Sequence, residues 1–509
     1  MVCLTSLKDV RKVDESCTSI RFLCLIFLVL CPIFVDKCTS IQRFVAFGTY
    51  NLQKAIEKFI SHPEDIASFV NDVQQEVLKF GLDIISETLE DCNQFLVESE
   101  ARKQKWHVVR TDLKQLLTSM GPIIFHKTLF KHKATGKSEY LLDKYLKIES
   151  HERISEDAKA CILKEASQTS YRKAGENASI LDMVSKQAVM DIVHELHFPK
   201  EKYSGEKKVV KYLYVDADED HIALQKAGEL HSTITKMVYV YEGIESEYPG
   251  SKRRRLVNPH YFCGLYSGKE NKRLWVQVYR YIEQHYDLDK IKRIYINADG
   301  GMWIKTALSH LDKSKYVLDG FHLNQTLFRM TACLKGAAGD ARSRICSLIA
   351  AGKPKELQKL VKKIAEGTDT KADEKRLLDG LDYLLNNFKA AQARLSRAKG
   401  LVACSAEGHV SHVLSARMSS RPMAWSLVGA DAMARLRAYS LNGGKMIDLV
   451  RFQKKPIEIE EDEICFTPQQ MIAFENKARR PYGKYFDGIQ CGVSSQTIKK
   501  MWFQHQIRL

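Results

Sequence analysis

Three short blocks of this sequence carry acids where metal-assisted chemistry needs them. The first is Asp216-Ala217-Asp218-Glu219-Asp220-His221, directly after a strand-like run over 211–215. Alternate residues of a strand share a face, so Asp216 and Asp218 can both reach one site. The second is Ile294-Tyr295-Ile296-Asn297-Ala298-Asp299-Gly300-Gly301, where a buried strand delivers Asp299 at its C-terminal end. The two glycines let a metal ion or a phosphate approach the backbone. The third is Ser405-Ala406-Glu407-Gly408-His409. Three such acids suit phosphodiester chemistry. Two Mg²⁺ ions roughly 3.5–4 Å apart would take the attacking and leaving oxygens. Carboxylates are hard oxygen ligands that leave positions open for water and phosphate. Each acid also has a plainer reading. Asp299 suits a turn, 216–220 suits an exposed acidic turn, and Glu407 suits the favourable dipole at a helix start.

The elements that must position these acids alternate strand and helix. The pattern predicts strands over 209–215, 222–225 and 235–241, then a helix over 275–286. A buried strand over 291–297, a helix over 303–310 and a strand over 316–318 follow. That order is the one expected of an RNase H-like α/β core. Between the third strand and the helix lies Lys252-Arg253-Arg254-Arg255, either a solvated loop or a phosphate contact. Residues 325–400 read as almost wholly helical, with breaks at 352–354 and 367–370, and 401–450 is dense in Gly, Ser, Arg and Met.

Upstream, 50–105 reads as helical. Ser61 and Glu64 form an expected capping box, with Pro63 in the first turn. Phe69, Val73, Val77, Phe80, Ile84 and Ile85 make an apolar stripe, suited to a core or a dimer seam. Over 106–150 the period shifts to strands at 106–117, 123–131 and 138–142, with turns at 120–122 and 135–137. Lysines and histidines on this β unit suit a phosphate backbone and a solvated face equally. Over 151–198 three helices are expected: 158–166, a second starting at 170, and a third capped by Ser185. That arrangement reads as a helix-turn-helix that would bring Lys186 and Gln187 to DNA, or as an ordinary three-helix unit.

The whole chain bounds these readings. Its 509 residues are enough for several domains. An excess of 78 Lys and Arg over 62 Asp and Glu gives +16, a charge that attracts polyanions, nucleic acid foremost. The 13 cysteines include no Cys-x-x-Cys pair, which excludes zinc-finger signatures and fits a reducing cytosol. The leader holds a 14-residue apolar run over 22–35 containing Pro32, after Arg11, Lys12 and Arg21. It is short for a membrane span. It reads as a signal-peptide core, a buried helix, or the product of a start codon assigned too early.

Longer blocks then become recognisable. They are Ala217-Asp218-Glu219-Asp220-His221, Asn258-Pro259-His260-Tyr261-Phe262, and Ala298-Asp299-Gly300-Gly301-Met302-Trp303-Ile304-Lys305. Leu318-Asp319-Gly320-Phe321-His322-Leu323, Cys404-Ser405-Ala406-Glu407-Gly408-His409-Val410-Ser411-His412 and Arg417-Met418-Ser419-Ser420-Arg421-Pro422 follow. In these blocks, over roughly residue 45 to the end, the chain resembles the ISLre-type bacterial insertion-sequence transposases. These are distant relatives of the Mutator-like three-carboxylate (DDE) enzymes.

The resemblance implies a fold class: an α/β RNase H-like catalytic core with an all-α insertion, preceded by a helical and small-β DNA-binding region. The implied parts are a leader outside the family (1–44), a helical region (45–105), a β unit (106–150) and a helix-turn-helix-like region (151–200). The core (205–324), the insertion (325–400), the rest of the core with Glu407 (401–455) and a C-terminal segment (456–509) follow. It prefers Asp218 over Asp216 as first ligand, with Asp299 and Glu407 completing the set, and it gives His322 the role of orienting the scissile phosphate or an acid, the plainer reading being a core histidine. Arg253, Arg254, Arg255, Lys305, Arg417 and Arg421 become candidate phosphate contacts, with structural ion pairs as the plainer reading of Lys305, Arg417 and Arg421.

The implied activity is that of a transposase, cutting at terminal inverted repeats and joining the ends to target DNA. It would use two Mg²⁺ ions, with Mn²⁺ as a substitute. A homodimer or larger assembly on double-stranded DNA, in the bacterial cytoplasm at the nucleoid and away from membranes, is expected. The alternatives are a transposase-derived repressor or inactive copy, and a plain RNase H-like nuclease.

Overall fold

A proline parts the first helices. The helix Thr49–Ser61 stops ahead of His62-Pro63, because proline lacks the N–H that a continuing helix uses. The next helix, Ile66–Glu98, is capped by Asp65, whose carboxylate accepts from the Ser68 amide at 3.1 Å. The expected capping box is therefore absent. Ser61 ends one helix instead of starting another.

The computed structural model describes residue 40 and residues 44–454, apart from 201, 202, 204, 228, 229, 269, 397 and 422. The apolar run over 22–35 and the segment over 456–509 lie outside those residues. The chain divides into two units, one up to Ala158 with Ser179–Asp182, the other from Lys159–Ala178 and from Met183 onward.

In the first unit, β1 (Trp106–Leu117), β2 (Pro122–His132) and β3 (Ser138–Tyr140) form an antiparallel sheet in that order. Phe125 and Phe130 are fully buried with Leu96 of the long helix and with Leu141 and Leu142. The strand expected to run to 142 stops at Tyr140, and Leu141–Leu146 is helical.

In the second unit, β4 (Tyr212–Ala227) and β5 (Leu230–Tyr241) make a long hairpin. A small hairpin follows, of β6 (Gly243–Ser246) and β7 (Arg254–Val257). Next come β8 (His260–Gly264), β9 (Arg293–Ala298) and β10 (Ser314–Leu318). The two strands expected at 209–215 and 222–225 are one strand. The polar stretch Asp218–His221 continues it, paired in register with Met237 to Ile234. The five-stranded sheet has the order β10-β9-β4-β5-β8. β10, β9 and β4 run parallel; β5 is antiparallel to β4, and β8 is antiparallel to β5.

Alternation assigns the two faces of this sheet. Leu213, Val215, Ala217, Val238 and Val240 pack against Leu274, Trp275, Val278 and Ile282 of the helix Glu270–His285. Tyr214, Asp216, Asp218, Tyr239 and Tyr241 therefore face the other side. That side is crossed by 399–405, leading into the helical turns Ala406–Val410 and Ala416–Met418, and then by the helix Leu427–Leu441, which packs on β8. Tyr295 donates to the Lys399 carbonyl at 2.9 Å. Gly400 has φ +85°, and a Cβ there would lie 2.5 Å from the Tyr212 ring. Only glycine lets the chain cross so close to the sheet.

Between β10 and this crossing lie the helices Gly320–Thr331, Ala338–Ala350, Pro354–Glu366, Lys371–Asn386 and Phe388–Leu395. They share one apolar core, including Leu327, Ile345, Val361, Leu381 and Ala391. The expected breaks fall where Pro354 opens one helix and Thr370 caps the next.

Candidate active site

Asp216 and Asp218 look interchangeable in the sequence, yet the structure gives them opposite surroundings. Asp216 is fully buried. Its Oδ1 accepts from Tyr241 at 3.1 Å and from the Asn297 amide at 2.7 Å. Its Oδ2 accepts from Tyr239 at 2.8 Å and from the Ser405 backbone at 3.0 Å. Burial pushes its pKa up and these donors pull it down. With both oxygens engaged, Asp216 is a strut beneath the site. The expectation that it could serve as the alternative first ligand is corrected.

Asp218, two residues on, is nearly buried, and among the described residues its one hydrogen bond comes from the Glu219 amide at 2.8 Å. Its carboxyl is pushed up to about 7 by burial, with the negative charges of Asp299 and Glu407 adding to the rise and His322 opposing it. Asp299, Glu407 and His322 therefore lie within electrostatic reach of Asp218.

Each is placed by a strand end or a helix start. Asp299 follows β9, half-buried, and its Oδ1 accepts from the Gly301 amide at 2.9 Å. It is thus a turn residue as well as a site residue. Gly300 has φ +115°, and a Cβ there would sit 3.0 Å from the Asn387 amide nitrogen. Tyr383 of the helical insertion donates to the Asp299 carbonyl. Glu407 is exposed in the first turn of Ala406–Val410. His322 lies near the start of Gly320–Thr331, its Nδ1 3.1 Å from Asp319 Oδ2. That contact raises the imidazole pKa, and the charges of Asp299 and Asp218 raise it further.

A second layer, missed by sequence reasoning, locks these segments together. Arg394, in the last insertion helix, donates at 2.8 Å to the Leu318 carbonyl, the Val402 carbonyl and Asn297 Oδ1. Asn297 passes the link to Asp216, and Asp216 to Ser405. One cation thus ties the ends of β9 and β10 to the chain entering Glu407. Ser405 Oγ and the Tyr239 hydroxyl are 2.8 Å apart, and Tyr261 bonds His409 Nδ1 at 2.9 Å. On the opposite face, Trp303 donates to Glu219 at 2.9 Å, and the Lys236 ammonium sits 4.8 Å over the Trp303 ring. A polar residue flanking a strand-end acid is the only sequence signal for Asn297, and Arg394 has none.

Among the described residues, no group of three or more His, Cys, Asp or Glu side chains is gathered closely enough to hold a metal ion as it stands. By donor chemistry Asp218, Asp299 and Glu407 fit a hard divalent cation, being all oxygen and all anionic, with mutual repulsion that a cation relieves.

The expected DNA contacts separate. Arg417 is only 5% exposed. It donates to the Ala166 carbonyl at 2.9 Å and stacks 4.8 Å over Trp425 and 5.7 Å over Tyr171. Burial lowers its pKa to about 10. Arg417 is corrected to a structural cation, beyond reach of a phosphate. Arg421 is exposed. Arg253 and Arg254 are exposed on the β6–β7 hairpin, and Arg255 beside them pairs with Glu245 at 2.8 Å. Lys305 lies 3.4 Å from the Asn386 carbonyl, at the end of an insertion helix.

Lys186 and Gln187 are exposed at the start of Lys186–His194, which Ser185 caps. The connection from the preceding helix, Tyr171–Glu176, spans 177–185. That is longer than the 3–4-residue turn of a helix-turn-helix, and Lys186–His194 packs on Leu427–Leu441 within the same unit as the five-stranded sheet. Among the described residues no helix is long and apolar enough to cross a membrane.

A family model described as an uncharacterised protein family, UPF0236, matches residues 64–456. Similar curated proteins are UPF0236 proteins of Caldanaerobacter subterraneus subsp. tengcongensis. One is 33% identical over 410 residues, covering 80% of this chain and 85% of the relative. A second is 33% identical over 394 residues, covering 77% and 82%, and a third covers 77% and 81% at the same identity.

Proposed function

The chain belongs to the UPF0236 family, and from that premise we propose that it is a DNA transposase that cuts and rejoins phosphodiester bonds at a three-carboxylate site. The observation that carries this reading is Asp218, a nearly buried acid pushed up to about 7, with Asp299 and Glu407 contributing their charges and no strut-like set of donors. Acids with such perturbed pKa values concentrate at functional sites. The strand order β10-β9-β4-β5-β8, with acids at adjoining strand ends and a helical insertion before the third, agrees with an RNase H-like core. The name of the first relative joins eleven designations from one organism, and that of the third joins four. Such multiplicity is expected of a mobile element.

In this reading Asp218, Asp299 and Glu407 would hold divalent cations, Mg²⁺ or Mn²⁺. When bound, these supply Lewis-acid polarisation and a nucleophile from water or a 3′-hydroxyl at neutral pH. The protein's own groups do the rest. Asp216, Asn297 and Arg394 keep the three acid-bearing segments in register. Tyr383 holds the Asp299 loop by its carbonyl. His322, oriented through Nδ1 by Asp319 and favoured in its charged form, presents Nε2 as a donor for a phosphate oxygen. The net charge of +16 draws the DNA in.

The test is Mg²⁺- or Mn²⁺-dependent cleavage and joining of a fragment carrying the element's own ends. Asp218→Asn, Asp299→Asn and Glu407→Gln should each abolish both steps while DNA binding survives. A wild-type protein that binds those ends and cuts with neither metal would make the chain a transposase-derived repressor or an inactive copy.

A further inference from the structure

The helix Pro354–Glu366 carries a cationic row that the acid site does not use. Its inner face is Leu357, Val361 and Ala365, all buried in the insertion core. Its outer face is Lys355, Lys359, Lys362 and Lys363, all exposed. Steps of four and three residues put 355, 359 and 362 in one line, with 363 alongside. None of these four lysines has an ion-pair partner among the described residues; the pair this helix does make is Lys353 with Glu356, at 2.9 Å. Other cations of this unit are answered locally: Arg255 by Glu245 at 2.8 Å, Arg376 by Asp373 at 2.9 Å and Lys208 by Glu242 at 2.7 Å. Like charges three and four residues apart destabilise a helix. A polyanion laid along the row reverses that cost.

We propose that this lysine row binds the sugar–phosphate backbone of duplex DNA, an inference that rests on the reading of the acid site as DNA-cutting. From 355 to 363 the helix rises about 12 Å, a length over which duplex DNA carries about seven phosphate charges. The row is attached to the site itself. Pro354–Glu366 packs on Lys371–Asn386, the helix whose Tyr383 holds the Asp299 carbonyl. DNA gripped by the row is thus held by the same body that sets the second acid. An anionic membrane fits less well, because seating a helix at a membrane interface needs exposed apolar residues beside the cations, and here Leu357, Val361 and Ala365 are buried while Leu360 and Ile364 are partly buried against the same core.

The test uses the full chain carrying Asp299→Asn, so that binding is read without cutting. Anisotropy of a labelled duplex bearing the element's ends, and of an unrelated duplex, is followed from about 50 to 200 mM salt. In the Lys355→Gln/Lys359→Gln/Lys362→Gln variant, the slope of log affinity against log salt should become shallower by about 2–3. Both duplexes should weaken alike, and Arg at the three positions should restore the slope. Circular dichroism and thermal unfolding check that the variant is folded. An unchanged slope in a folded variant overturns the proposal. So does loss of binding to phosphatidylserine vesicles with DNA binding intact, which would assign the row to a membrane. A wild-type protein that never cuts, but whose slope falls in the variant, leaves the lysine row standing and removes the acid-site reading.

Discussion

The backbone amide of Ser405 donates a 3.0 Å hydrogen bond to Asp216 Oδ2, joining residues 189 positions apart. All four partners of Asp216 are donors. An asparagine there would turn an N–H₂ toward two of them, since each oxygen accepts from two. Asp216→Asn should therefore lower unfolding free energy by about 2–4 kcal/mol, read by urea denaturation. A variant as stable as wild type would remove Asp216 from its role as a strut.

Asp218→Asn should act in the opposite direction. The folded carboxyl titrates at about 7, above the ordinary carboxylate value. Its favourable contribution is complete below about pH 4 and is lost as pH rises through 7. Asparagine removes that loss, so the variant should be more stable than wild type by roughly 1–3 kcal/mol at pH 8 and no more stable at pH 4. Added Mg²⁺ should raise the thermal midpoint of wild type and leave that of the variant unmoved. A variant less stable than wild type at pH 8 contradicts the assignment.

Arg394→Ala leaves two carbonyls and the Asn297 side chain without their donor. Expected are a loss of about 2–4 kcal/mol and a drop in cleavage rate larger than any change in DNA affinity. Lysine should recover little, because a point charge cannot make three directed bonds at once. Full recovery by lysine would show that charge alone matters at this position.

Arg417 and Arg421 should part company. Arg421→Ala should weaken DNA binding and make the salt dependence shallower by about one contact, or 0.9 in slope, with stability unchanged. Arg417→Ala should destabilise the fold by about 2–4 kcal/mol, since the cation fills the space between Tyr171 and Trp425. Its salt slope, measured where the variant is still folded, should match wild type. Exchanged phenotypes would reverse the assignment.

His260 gives the second unit an acid sensitivity of its own. Asn442 accepts from the Tyr261 amide at 2.8 Å, and its Nδ2 donates to the Tyr261 carbonyl at 2.9 Å and lies 3.2 Å from His260 Nε2. Nε2 must therefore be the acceptor, which requires a neutral ring. Burial, with the neighbouring His285 adding to it, lowers the pKa to about 3. The stability this neutral ring contributes is present above about pH 6.5 and is lost as pH falls toward 3. His260→Phe should flatten unfolding free energy between pH 7 and 5. An unchanged slope would place the sensitivity elsewhere.

The site was legible where chemistry repeats locally. Asp299 stands out because a run of buried strand residues ends in an acid and two glycines. Pro354 and Thr370 mark helix starts by their own stereochemistry. In sequence β4 reads as two strands because Asp218 to His221 interrupts its apolar run, and only the pairing with β5 carries the strand through. Asp216 and Asp218 are equivalent by period, and partners drawn from β5, β9 and residue 405 tell them apart. Arg417 looks like a phosphate contact until Tyr171 and Trp425 enclose it. Arg394 lies in a short helix rich in Ala, and nothing near it in sequence signals that it bonds three separate segments.

The clamp that Arg394 closes also has a meaning in time. A chain still leaving the ribosome has β4, β9 and β10, and so its first two acids, long before residues 394–407 emerge. Until they do, Asn297 lacks its cation, Asp216 lacks the Ser405 amide, and no third carboxylate exists to join the pair. A partial translation product therefore lacks both the third carboxylate and the clamp that would hold its segment in place. The three acids come together only when the last of these segments docks.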